Sequence, residues 1–276
     1  KELSIRFVFL RPPWPPTCDV YATHGLGPVA QALDIHRGDR MKTLVAMDTK
    51  SVAGKALVEE RTGAGCDNFR NGDHTTTLIR TENGKVIEIQ HNVMTPQPYN
   101  RLYQLTGTKG FANKYPVEGY ALDAKQLTAS GMEPKVDDLS SHSFLPKDEM
   151  NALVEKYQHP ILKKYGEMAK EVGGHGGMDF IMDSRLVYCL QNGLPLDMDV
   201  YDLAEWCCLA ELGELSMDNG CASVAFPDFT RGEWNKIKGY KHAYATPEEE
   251  AAIMEKAKAF TQKLKEKGAE EWAEDK

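Results

Sequence analysis

Thr75-Thr76-Thr77-Leu78-Ile79-Arg80 and Val86-Ile87-Glu88-Ile89-Gln90, joined across Glu82-Asn83-Gly84-Lys85, decide the fold class. Both runs alternate β-branched or apolar residues with polar ones, and Asn-Gly between them is the strongest short hairpin signal a sequence carries. A two-residue period means that one face is buried, so this hairpin needs neighbours. Upstream, residues 42–47 form a further β-prone run, and 52–60 have helical spacing with a stop at Gly63. Downstream, Pro96 and Pro98 end the pairing and present Tyr99 on a loop. Residues 102–106 resume a strand, which Gly107 and Lys109-Gly110 turn back. Residues 42–124 are therefore read as one antiparallel sheet with one face free for helices or for another subunit.

Beyond residue 140 the pattern turns helical. Helices are expected over 147–157, 161–172, 178–191 and 199–212, the last with Val200, Leu203, Ala204 and Cys207 on one stripe. The fold class is α+β: an open, mostly antiparallel sheet with helices packed on one face. Residues 1–19, with Pro12-Pro13-Trp14-Pro15-Pro16, match neither strand nor helix and form an aberrant lead-in. Residues 20–244 are read as the substrate-binding α+β domain and 245–276 as a charged amphipathic helix.

The 276 residues carry 33 basic and 41 acidic side chains, a formal net charge of −8. That balance disfavours a nucleic-acid footprint or an anionic membrane surface and suits a small neutral or polar ligand. No apolar run approaches a membrane span. The six cysteines have no C-x-x-C pair or zinc spacing and are expected to be mostly buried free thiols. A chain that begins with Lys is expected to be a fragment.

The densest chemistry lies in residues 20–40. Tyr21 and His24 precede Gly25, Gly27 and Pro28, and Pro28 is expected to open a helix over 28–37, with Val29, Ala32, Leu33 and His36 on its apolar stripe. Two readings stand for His24: a helix-capping residue, or one of a phenol–imidazole pair delivered to a helix start that favours electron-rich oxygen. Residues 25–30 also match G-x-G-x-x-A, but that fingerprint must follow a buried strand, which the proline cluster forbids. His175, within Gly174-His175-Gly176-Gly177, is a second candidate imidazole, or a cap in a tight turn. Asp197, Asp199 and Asp202 flank a helix start, where acids are favoured, so no metal site is assigned. Neither G-x-S-x-G nor H-E-x-x-H occurs, and composition nominates no carboxylate pair. The remaining tyrosines and histidine suit proton transfer and hydroxyl binding.

Six blocks occur in order: residues 21–28 (Tyr-Ala-Thr-His-Gly-Leu-Gly-Pro), 34–38 (Asp-Ile-His-Arg-Gly), 97–100 (Gln-Pro-Tyr-Asn), 174–179 (Gly-His-Gly-Gly-Met-Asp), 195–202 (Pro-Leu-Asp-Met-Asp-Val-Tyr-Asp) and 226–230 (Phe-Pro-Asp-Phe-Thr). Together they resemble glycoside hydrolase family 109, which is similar to the glucose-fructose oxidoreductase and inositol dehydrogenase group. The resemblance covers about residues 20–244. It implies the second domain of an NAD-dependent glycosidase acting on N-acetylgalactosaminides, in which NAD transiently oxidises the sugar at C3, the glycosidic oxygen is eliminated, and water adds. By motif, Tyr21 would contact both cofactor and sugar, and Tyr21, Ala22, Thr23 and His24 would line the substrate. His24 and Tyr21 are the implied catalytic pair, with His24 moving a proton near the leaving group; Tyr99 would also touch substrate. His175 is kept as a supporting residue beside the site.

Two departures accompany the resemblance. The nucleotide-binding half is missing, so NAD would be held mainly by an absent N-terminal domain and this chain alone is expected to be inactive. The approach to Tyr21 also lacks the expected substrate-contacting Arg, for which Arg6 or Arg11 would have to stand in. Alternatives are a sugar or polyol dehydrogenase of the same fold, and a non-catalytic carbohydrate-binding or dimerisation domain using the open sheet face. The resemblance suggests a bacterial periplasm or cell envelope.

Overall fold

The hairpin forms where the alternation places it. The computed structural model describes residues 17–65, 67, 69–132, 143–236, 238 and 239, with Glu255, Ala259, Gln262, Lys263 and Glu266, which are helical. The lead-in before Thr17, with Arg6 and Arg11, and most of the expected helix after 245 lie outside the described residues.

The chain divides into two compact units, one of Lys1–Tyr103 with Val200–Tyr240 and one of Gln104–Asp199 with Lys241–Lys276. The first begins with α1 (Thr23–Ala32), β1 (Met41–Asp48), α2 (Ala53–Thr62), β2 (Thr75–Thr81) and β3 (Val86–His91). The second holds β4 (Gln104–Thr106), β5 (Gly110–Asn113), β6 (Gly119–Leu122), α3 (Ala124–Ala129), α4 (Lys147–Tyr157), α5 (Pro160–Val172) and α6 (Met178–Asn192). The chain then returns to the first unit with α7 (Val200–Cys207), α8 (Leu209–Asp218) and β7 (Val224–Ala225).

The first unit's sheet has the order β3-β2-β1-β7, all neighbours antiparallel. Arg80 faces Val86 across the hairpin, and Gly84 takes φ +83° to close it. Thr75, Thr77, Ile79 and Thr81 point into the core with Ile87 and Ile89, while Leu78, Arg80, Val86 and Glu88 face outward. The core gathers Leu26 and Ala30 of α1, Leu44 and Ala46 of β1, and Trp206 and Leu209 from α7 and α8. α8 lies close on β1: Ser216 Oγ accepts the Ala46 N–H at 3.0 Å, and a Cβ on Gly213 would stand 2.2 Å from Cys18 Sγ. Cys18 itself has φ +85°.

Several expectations change. The single sheet becomes two, because residues 92–103 leave β3 through the proline loop and β4-β5-β6 pair among themselves. The 199–212 helix divides at Cys208 into α7 and α8, and the expected stripe lies outward: Val200 and Leu203 are exposed, while Asp202, Glu205 and Trp206 are buried. Of the described cysteines, all free, Cys18 and Cys189 are buried, Cys208 and Cys221 are half-buried, and Cys207 is exposed.

The inward turn of α7 has an electrostatic cause. Arg37 holds Asp202 bidentately, Nη1–Oδ1 at 2.8 Å and Nη2–Oδ2 at 2.9 Å. His36 Nε2 stands 2.7 Å from Glu205 Oε2, and Glu205 Oε1 accepts the Met41 N–H at 3.2 Å. All four side chains are buried. Burial pushes the His36 pKa down, but hydrogen bonds and charge from Asp202 and Glu205 outweigh it and carry it to about 9. Asp39 adds a second tie on the same turn: its Oδ1 accepts the N–H groups of Arg40 and Asn83, the latter within the β2–β3 turn.

A His pKa raised from 6.5 to about 9 in the folded state gives stability that is complete below pH 6.5 and is lost as pH rises through 9. Thermal melts should therefore fall across that window, and His36→Gln should remove most of that slope. Gly213→Ala should cost about 1–3 kcal/mol by overpacking against Cys18. Chemical denaturation of the Cys18→Gly, Gly213→Ala double variant should recover part of the loss, since it removes both the colliding side chain and a non-glycine residue at positive φ.

Candidate functional site

α1 starts earlier than Pro28 implies. The Ala22 carbonyl accepts the N–H groups of Gly25 at 3.0 Å and Leu26 at 2.8 Å, which winds the helix from Thr23 and leaves Pro28 inside it. The helix stops at Ala32, and Asp34 and His36 take positive φ, so His36 belongs to the following turn rather than to a helical stripe. A proline inside a helix has no N–H for the carbonyl four residues back, here that of His24. The Tyr103 hydroxyl donates to that carbonyl instead. A defect in the helix is thus satisfied by the far end of the loop that carries Tyr99.

Tyr21 and His24 meet at this helix start. The Tyr21 hydroxyl and His24 Nε2 are 3.3 Å apart, and the rings stack with centroids 4.5 Å apart at 24°. Both side chains are exposed. A phenol and an imidazole in this contact can pass a proton in either direction, depending on tautomer. Ala22 is buried and Thr23 half-buried directly between them in sequence.

A pocket of about 340 Å³ opens beside Tyr21, lined among others by Asp19, Thr23, Trp206, Ala210 and Glu211. Asp19 is 1% exposed. Its Oδ2 accepts from the Thr77 hydroxyl of β2 and from the Cys18 thiol, whereas its Oδ1 has no protein partner. Burial raises the Asp19 carboxyl to about 6 despite those bonds, and the Cys18 thiol to about 12. The Trp206 benzo edge lies against Gly27, where a Cβ would stand 3.2 Å from the ring. Gly27 is therefore a helix-packing glycine. The G-x-G-x-x-A run sits inside α1, so it offers no dinucleotide cradle.

Sequence reasoning missed Asp19, Trp206 and Glu211. Asp19 stands two residues before Tyr21, a local signal, but nothing local joins it to a helix almost two hundred residues later. Tyr99 is exposed on the 92–103 loop with the Arg101 guanidinium over its ring at 5.5 Å. Tyr103 follows it by four positions, which limits its reach from His24 to roughly 14 Å beyond that anchor. His175 belongs to the second unit, where its Nδ1 lies 2.9 Å from Asp179 Oδ2; the hydrogen bond and charge of Asp179 raise its pKa. Asp202 is held by Arg37 in the first unit and Asp197 by Arg185 at 2.8 Å in the second. Among the described residues, no group of three or more His, Cys, Asp or Glu is placed to hold a metal ion, and no helix is long and apolar enough to cross a membrane.

The family model described as "Glycosyl hydrolase 109, C-terminal domain" matches residues 15–236. The chain belongs to glycosyl hydrolase family 109. Among similar relatives, "Glycosyl hydrolase family 109 protein 5" of Phocaeicola vulgatus is 87% identical over 257 residues, 93% of this chain and 49% of the relative. A "Glycosyl hydrolase family 109 protein" of Porphyromonas gingivalis is 63% identical over 227 residues, 82% of this chain and 48% of the relative. "Glycosyl hydrolase family 109 protein 1" of Bacteroides thetaiotaomicron is 62% identical over 227 residues, again 82% of this chain and 48% of the relative. The chain spans about half the length of the curated relatives it matches. The matched family segment contains Asp19, the Tyr21–His24 pair, Tyr99, Trp206 and Glu211 alike.

Tyr103→Phe should cost about 1 kcal/mol by removing the bond to the His24 carbonyl, which water then takes up, and should speed hydrogen exchange in residues 92–103. Adding Pro28→Ala supplies the missing N–H four residues on. The double variant should regain stability in urea titration without slowing exchange in the loop.

Proposed function

We propose that this chain is the sugar-binding portion of an NAD-dependent glycosidase that hydrolyses N-acetylgalactosaminides. The observation that supports it is the Tyr21–His24 contact at 3.3 Å, with Tyr21 lining a pocket. Membership of glycosyl hydrolase family 109 supports the glycosidase class. His24 is the group that hands a proton to the departing glycosidic oxygen, and Tyr21, in hydrogen-bond reach, orients the imidazole and contacts the sugar. Tyr99 contacts the substrate from its tethered loop. Ala22 and Thr23 line the substrate between the two rings.

The described residues do not make a dinucleotide fold, so NAD would be held mainly by residues outside this chain, with Tyr21 as this chain's contribution. Bound there, NAD would supply the oxidation and re-reduction at the sugar's C3. A dehydrogenase with the same residues would instead accumulate NADH during turnover.

A second reading concerns assembly. The outward face of β3-β2-β1-β7 exposes Met47, Leu78 and Val86, at 61%, 47% and 67%. These residues support a homodimer through that face.

The test is turnover of an aryl α-N-acetylgalactosaminide by this chain alone and by a protein that also contains the nucleotide-binding half. The expected result is activity only in the longer protein, without net NADH, and with solvent deuterium at C2 of the released sugar. His24→Ala there should lower kcat by about 10²–10⁴-fold. Turnover by the isolated chain, or full activity in His24→Ala, would refute the assignment.

A further inference from the structure

His74 stands at the root of the 92–103 loop, beside the end of β3. In the β2–β3 ladder Thr75 faces His91, so His74 and Asn92 are the next pair outward. On the other side the Thr49 N–H donates to the His74 carbonyl at 2.9 Å, and the His74 N–H donates to Thr49 Oγ1 at 3.1 Å. These bonds fix the His74 backbone to the end of β1. Its half-buried ring then reaches from Thr76 to Asn92, with Nε2 3.2 Å from Thr76 Oγ1 and Nδ1 3.4 Å from Asn92 Nδ2.

Asn92 decides where the imidazole carries its proton. Its Oδ1 accepts the Thr95 N–H at 3.2 Å and the Thr95 hydroxyl at 2.9 Å. A backbone N–H can only donate, so the amide oxygen points to Thr95 and the NH2 to His74. An NH2 likewise only donates, so His74 Nδ1 accepts and is unprotonated, and the ring proton of neutral His74 is on Nε2, facing Thr76. The Asn92 carbonyl also accepts from Gln97 Nε2 at 3.0 Å, which ties the chain just ahead of Tyr99 to the same residue. A second proton on His74 can go only to Nδ1, where it meets the Asn92 NH2, donor against donor. Turning the amide to offer its oxygen would set the NH2 against the Thr95 N–H and give up both bonds of the 92–95 turn. Either way a contact at the root of the loop is lost.

We propose that His74 is a proton-operated latch on the loop that bears Tyr99: neutral, it holds Asn92 and orders residues 92–98; protonated, it releases them. The latch stands on this hydrogen-bond chain; only the contact of Tyr99 with substrate rests on the function proposed above. Other titratable groups lie around it. His91, opposite Thr75, is held below the ordinary histidine value by burial and then by the charge of His74, and burial carries Asp19 to about 6. Asp73 is held low by the N–H groups of Ala53, Gly54 and Val52, and Asp48, opposite Thr75 on β1, is raised by burial. Of these, His91 and Asp19 have to be separated from His74 by experiment.

The experiment takes the full 276-residue chain and measures amide-exchange protection in residues 92–103, corrected for the intrinsic rate, between about pH 5 and 8, with imidazole nitrogen shifts to identify the tautomer. Expected are an Nε2–H tautomer for neutral His74 and protection of the Thr95 amide that falls roughly three- to tenfold as the pH drops through the ordinary histidine range. His74→Asn puts a carbonyl oxygen about where Nδ1 stands and takes up no proton, so it should keep the protection and lose the pH response. Asp19 still titrates in that variant, which separates the two groups. Asn92→Asp offers one carboxylate oxygen to Thr95 and the other to protonated His74, so its loop should tighten in acid, the opposite sign from the parent. His91→Gln should respond as the parent does. Should one of the His74 and Asn92 variants fail to fold, the other carries the comparison, and the tautomer is read on the parent. An Nδ1–H tautomer, a parent loop indifferent to pH, an unchanged response in His74→Asn, or loosening in acid of Asn92→Asp would overturn the latch. A response abolished by His91→Gln would move the switch to His91 and overturn it as well.

Discussion

Two buried cations facing two buried anions set the arrangement of the first unit. Arg37 and His36 leave a turn just after α1, and Asp202 and Glu205 answer them from α7. Burying four charges is unfavourable unless each is compensated, so α7 must present its acidic face inward. Once it does, Trp206 on that face meets Gly27 of α1, and Val200 and Leu203 are left outside. The walls of the pocket follow from this rotation. Had hydrophobic periodicity alone ruled, the same helix would have buried Val200 and Leu203.

The proline in α1 links dynamics to the site in a different way. Pro28 leaves the His24 carbonyl without its helical partner, and Tyr103 fills that place from the end of an otherwise irregular loop. His24 and the loop bearing Tyr99 thus share one hydrogen bond. Loop segments ordinarily open at low free-energy cost. Here an opening at Tyr103 exposes an unpaired carbonyl within the first turns of α1, which couples loop order to the geometry of Tyr21 and His24.

The sheet reaches the site through Asp19. Thr77, in the middle of β2, donates to the carboxylate that precedes Tyr21, so the strand whose alternation decides the fold also holds the wall of the pocket. Asp19, Tyr21 and Thr77 all lie within the segment that matches the family's C-terminal domain.

By itself the sequence determined what depends on near neighbours. The hairpin at Asn83-Gly84, the helix that ends at Gly63 with φ +69°, the helices flanking Pro160 and the loop position of Tyr99 all follow from turn chemistry and period, which act over a few residues. The Tyr21–His24 spacing was likewise legible, as a phenol and an imidazole three positions apart in one short glycine-flanked run. What tertiary structure decided was everything that depends on a distant partner. The inward face of α7 required Arg37, the true start of α1 went with Tyr103 and Trp206, and the division into two sheets came from pairing among β4, β5 and β6. The pocket wall needed Asp19 and Glu211 brought together across most of the chain. For α7 a local preference was outweighed by the cost of leaving buried charges uncompensated, a cost no window of sequence contains.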